Sequence, residues 1–89
     1  MKIKIVPEIK DIGYPTNNKN YSKCHKIANK KEKELTGEVY RQYHKKGTLL
    51  GSYTKDGKII FISQEVPMNK RKNIEIHEKA EIECMKDQI

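Results

Sequence analysis

The chain has no apolar run near the roughly 18 residues that a membrane-spanning helix requires. Its most apolar stretch is only Ile59-Ile60-Phe61-Ile62. A charged start followed by an apolar segment, the mark of a secretory leader, is also missing. The expected compartment is therefore the cytoplasm, and no membrane partner is expected. Cysteine is scarce: Cys24 and Cys84 are too few and too far apart for a disulfide framework. In a reducing compartment they read as buried thiols, with metal ligation held in reserve. Arginine is nearly absent, since Arg41 and Arg71 are the only two among 19 basic residues. Recognition of bases and phosphates draws on arginine forks, so direct nucleic-acid binding is the lesser expectation.

What the chain does have is charge. Its net charge is +7 and its pI about 9.4, which attracts nucleic acid, acidic proteins and anionic surfaces, so a basic nucleic-acid-binding module is a further alternative. Hydrophobic and charged residues each make up 35% of 89 residues. That composition describes a single domain, 1–89, with a thin core. Such domains commonly rely on a metal, a disulfide or a partner for stability.

Along the chain, Lys2 to Val6 alternates lysine with apolar residues and predicts a short strand that ends at Pro7. Glu8 to Asn20 predicts a loop. Tyr21 to Leu35 predicts a helix stopped by Gly37, with Tyr21, Cys24, Ile27, Ala28 and Leu35 as its apolar stripe. Its opposite face is Lys-rich: Lys23, Lys26, Lys30 and Lys33. Further strands are expected at Glu38 to His44, Thr48 to Thr54 and Lys58 to Ser63. Lys45-Lys46-Gly47 supplies one turn, and Asp56-Gly57 a hairpin. The apolar run in Lys58 to Ser63 points to a central strand. A last helix begins at Met68 or Asn69. The expected fold is α+β: a small antiparallel sheet of three to four strands packed with two helices.

The last helix carries His77-Glu78-Lys79-Ala80-Glu81, an H-E-x-x-E pattern. Residues four apart share a helix face, so His77 and Glu81 point the same way. Ile74, Ala80, Ile82, Cys84 and Met85 place that face toward the core. A buried carboxylate is costly unless it is paired or binds a metal. Two readings fit. In one, His77 and Glu81 are zinc ligands and a third comes from elsewhere. His25 is the first choice for that third ligand, with Cys24, Cys84, Glu32 and His44 in reserve. In the other, His77 bonds a backbone carbonyl and Glu81 pairs with a lysine. If the ion keeps an open position, Glu78 is the candidate general base for a bound water.

An H-E-x-x-E helix placed after a hairpin strand resembles the core of zincin metallopeptidases, with Glu81 where most zincins have a second histidine. Tyr21-Ser22-Lys23-Cys24-His25-Lys26-Ile27-Ala28, followed by Glu32, resembles the Y-x-x-A-H-x-x-A-x-x-x-E helix of small phage and prokaryotic zincin-like proteins. Here that helix precedes the motif helix, a permuted order. The resemblance implies one zinc per chain held by His77, Glu81 and His25. It also implies a zinc-dependent hydrolase as the alternative to a non-catalytic role. A compact, Lys-heavy chain further resembles phage-encoded inhibitors, anti-CRISPR proteins among them. That likeness implies a protein partner, a CRISPR effector nuclease or its RNA complex.

Overall fold

The computed structural model describes residues 2–10, 19–40 and 47–87. Three strands, β1 (Lys2–Val6), β2 (Gly51–Tyr53) and β3 (Ile59–Ser63), form a sheet of order β1-β3-β2. β3 is central, as its apolar run predicts. β2 pairs with it antiparallel through the hairpin. At the hairpin, Gly57 takes a positive φ of 72° that a side chain would resist. Asp56 Oδ1 accepts hydrogen bonds from the Thr54 hydroxyl and the Lys58 amide.

The sheet is mixed, which corrects the antiparallel expectation: β1 runs parallel to β3, with Ile3 beside Ile60 and Ile5 beside Ile62. Alternation along β1 reveals a strand but not its direction. The direction follows from the long passage between β1 and β3, which contains a helix, and parallel pairing needs such a crossover. Two other expected strands are shorter or missing. Thr48 makes only an isolated bridge with Lys10, and Glu38 to Tyr40 are not in a strand. The rest of the Glu38 to His44 segment, including His44, lies outside the described residues.

The helices are α1 (Lys19–Thr36) and α2 (Arg71–Asp87); a 3₁₀ turn at Met68–Lys70 leads into the second. Gly37 ends α1 with φ 88°, its amide bonding the Lys33 carbonyl. α2 lies on β2 and β3, where Ile60, Ile62, Val66, Ile74 and Ile82 form the core. Each of these side chains contributes about 2 kcal/mol by leaving water.

α1 packs instead on α2, antiparallel to it, and its expected apolar stripe holds at Cys24 and Ala28 but not at Ile27 and Leu35. Ile27 and Leu35 are exposed, whereas Cys24, Ala28 and Glu32 are buried, one per turn. The seam between the helices is therefore small and polar. Cys24 and Cys84 close it as a disulfide, with Cα atoms 5.5 Å apart. This corrects the expectation of two thiols. Docking of antiparallel helices brings together positions that sequence spacing keeps apart. Closing so long a loop stabilises the fold by about 4 kcal/mol in the chain-entropy account.

The approach of β2 to α2 is close at Gly51. A Cβ there would stand 2.5 Å from the Ile74 side chain and 2.8 Å from a Glu78 carboxyl oxygen. Gly51→Ala is therefore expected to destabilise the domain by about 1–3 kcal/mol, the usual cost of overpacking. Thermal unfolding should show this as a lowered midpoint; an unchanged midpoint would mean that β2 stands further from α2.

Candidate metal centre

The polar seam is built from positions one turn apart on each helix. Asn73, His77, Glu81 and Cys84 share the inner face of α2. Cys24, Ala28, Glu32 and Thr36 answer them on α1 in reverse order, with His25 at the edge of that face. His77 is 9% exposed, Glu81 2% and Glu32 1%. His25 is the solvent-facing member, its side chain 46% exposed.

His77 is held from both sides. Its Nε2 lies 2.5 Å from Glu81 Oε2, and its Nδ1 lies 3.2 Å from Glu32 Oε1. The same Glu81 oxygen is 3.2 Å from His25 Nδ1. The two imidazoles meet edge to face with centroids 4.9 Å apart. Glu32 is anchored in turn by the Asn73 amide group at 3.0 Å and the Tyr40 backbone N–H at 2.6 Å. Asn73 also donates to the Thr36 hydroxyl and the Glu38 carbonyl. Among the described residues one atom is left over: Glu81 Oε1 is buried without a hydrogen-bond partner. An unsatisfied buried carboxylate oxygen costs on the order of a few kcal/mol.

His25, His77 and Glu81 each offer a ligand atom, and the three atoms lie within 4.8 Å of one another. This group has the composition and spacing to hold a metal ion. Tetrahedral coordination at zinc–nitrogen lengths places donor atoms about 3.3 Å apart. The His25–Glu81 separation is close to that already. Glu32 is not a ligand in reserve but the partner of the other His77 nitrogen. A carboxylate on the far nitrogen of a ligating histidine fixes the ring and raises its basicity. Cys24 and Cys84, the other reserves, are consumed by the disulfide. His44 lies outside the described residues.

No protein-family model, curated protein or solved structure matches this chain. The centre is therefore read from its own geometry.

Glu78 stands apart from the group. Its side chain is buried against Gly51 of β2, on the sheet side of α2. Burial pushes its carboxyl up to about 8, and the charges of Glu81 and Glu32 add to the shift while His77 opposes it. For His77, burial works against the charged ring, but the hydrogen bond to Glu81 and the charges of Glu81, Glu78 and Glu32 outweigh it and raise the pKa. The shift favours the protonated ring, whose two nitrogens face Glu81 and Glu32.

Asn73 and the Tyr40 amide also belong to the site, though no motif marks them. Asn73 was within reach, since it lies one turn before His77 on the same face. The Tyr40 contact depends on how the chain leaves α1, which no local pattern encodes.

Both shifts favour the protonated form in the fold. The Glu78 contribution is complete below its unfolded value of 4.5 and lost as pH rises through about 8. That of His77 is present below 6.5 and lost as pH rises through its raised value. The metal-free protein should therefore lose thermal stability between about pH 5 and about pH 8.5. Glu78→Gln should flatten much of that slope and exceed the wild type in stability at the alkaline end. An unchanged slope would show that Glu78 is ionised in the native fold.

Proposed function

We propose that this protein is a small zinc-binding, non-catalytic protein that acts by docking on another macromolecule. His25, His77 and Glu81 hold the ion, which fastens α1 to α2. The observation that carries this reading is the Glu81 carboxylate, whose Oε2 faces two imidazoles while its Oε1 is orphaned. A divalent ion supplies the partner that oxygen lacks. It also replaces the proton between His77 Nε2 and Glu81. Two nitrogens and a carboxylate form a ligand set suited to zinc. With three protein ligands and a solvent-facing edge at His25, a fourth position stays open to water.

A zincin-like hydrolase is the alternative, and the placement of Glu78 weighs against it. A general base must reach the water it activates, whereas Glu78 turns toward β2.

The docking role rests on charge. Lys23, Lys26, Lys30 and Lys33 are all exposed on α1, in a chain of net charge +7. Such a face suits an acidic or RNA-bearing partner. A CRISPR effector nuclease or its RNA complex, the partner that the likeness to phage inhibitors implies, has this character.

Elemental analysis of untagged protein should find about one zinc per chain, as expected for a single three-ligand site. His25→Ala, at an exposed position that leaves the core intact, should weaken binding by about tenfold or more. His77→Ala should abolish binding and lower the thermal midpoint. Absence of metal from the wild type after refolding with zinc would overturn the reading. The docking role is tested separately: reconstituted effector nucleases should lose cleavage when the protein is added and regain it when the α1 lysines are changed to glutamate. Full cleavage with every effector tried removes the inhibitor role.

A further inference from the structure

The disulfide and the metal group occupy the same seam. Cys24 immediately precedes His25 on α1, and Cys84 follows Glu81 by three residues, one turn along the inner face of α2. The two helices that supply every metal ligand are thus the two that the disulfide joins. Thiolates are softer and stronger zinc ligands than carboxylates. In the oxidised chain these sulfurs are spent on each other.

We infer that the centre is redox-gated: reduction of Cys24–Cys84 releases two thiolates that join His25 and Glu81 around one zinc, converting an open site into a closed four-ligand site. The inference rests on the zinc-binding reading above. Three observations support it. First, the Cα atoms of the pair are 5.5 Å apart, so both sulfurs already converge on one point. Zinc–sulfur bonds of about 2.3 Å require the sulfurs to part to about 3.8 Å, a small opening of the seam. Second, His25 and Glu81, the ligands nearest the pair in sequence, already meet at 3.2 Å. His77 remains on Glu32 and keeps Glu81 oriented. Third, Cys84 is only half-buried while Cys24 is fully buried, so a reductant has one sulfur to approach.

The chemistry balances with a dithiol as reductant. Its thiolate attacks the Cys84 sulfur, forming a mixed disulfide and expelling the Cys24 thiolate. The second thiol of the reductant then closes its own disulfide and releases Cys84. Two electrons pass from the dithiol to the protein. Zinc displaces the thiol protons to solvent as the two sulfur–zinc bonds form. A disulfide is the expected state in an oxidising compartment and two thiols in a reducing one, so the same chain offers a different metal site in each.

The test is titration of the whole protein with cobalt(II) and zinc, with the disulfide intact and after reduction by a phosphine, which does not itself supply thiols. Reduced protein should bind at least about tenfold tighter. Its cobalt form should show thiolate-to-metal charge-transfer absorption that the oxidised form and Cys84→Ser lack. Zinc should also slow alkylation of the reduced cysteines. If the reduced chain unfolds without metal, added zinc should restore its helical signal, and failure to do so overturns the inference. Equal binding in both states without the thiolate band overturns the gating and leaves the His–Glu site standing. Binding in neither state overturns both. Binding only after reduction, with the thiolate band, removes the His–Glu site of the oxidised form and keeps the thiolate assignment.

Discussion

The polar contact between α1 and α2 is organised around His77 lying between two buried carboxylates. Glu32 and Glu81 are each almost wholly withdrawn from water, and burying charge is costly unless it is matched. An imidazolium between them offsets one negative charge and leaves one over. Replacing the Nε2 proton with a divalent ion gives a neutral ring, two carboxylates and a dication, and the charges cancel. Glu78, whose carboxyl is pushed up to about 8 chiefly by burial, contributes less negative charge to that balance than an ordinary carboxylate. This charge balance, as well as the motif spacing, is what suits the seam to a divalent ion.

The seam also explains an unusual division of labour. β2, β3 and α2 are joined by aliphatic packing around Ile60, Ile62, Val66, Ile74 and Ile82. α1 contributes little to that core. Its inward residues are a cysteine, an alanine and a glutamate, and its larger aliphatics Ile27 and Leu35 remain exposed. Apolar burial thus holds one half of the molecule, while a covalent bond and electrostatics hold the other. Small domains with thin cores need such additions, and here they are concentrated at a single contact.

This division decides how much was legible in the sequence. Elements held by apolar burial announced themselves: the central β3, the Asp56-Gly57 hairpin, and the buried face of α2 with Ile74, His77, Glu81 and Ile82 aligned. The H-E-x-x-E spacing and the place of His25 beside the other helix's inner face were enough to bring three ligand candidates together. What failed was everything set by docking rather than periodicity. On α1, hydrophobicity identifies Cys24 and Ala28 as inward but adds Ile27 and Leu35, which are exposed, in place of the buried Glu32. The disulfide was dismissed on spacing, and spacing says nothing about two helices laid antiparallel. β1 was recognised as a strand, but its direction is a property of the crossover. Glu32 was weighed as a ligand because it is a carboxylate on the right face. Only the ring orientation of His77 shows that it serves the opposite nitrogen.

The same division bears on how the protein presents its charge. α1 carries exposed Lys23, Lys26, Lys30 and Lys33, and among the described residues it packs chiefly on α2, at the seam. Elements with few buried apolar contacts open at lower free energy than the core. The orientation of the lysine face relative to the sheet is therefore only as well defined as the seam is complete. A ligand that binds the docked arrangement and not the undocked one stabilises it in proportion to its occupancy. On the proposed function, a metal at His25, His77 and Glu81 would do this to α1, and so would a partner that needs the lysines and the sheet in one fixed arrangement. The two would then favour one another, since each removes the ordering cost that the other must meet.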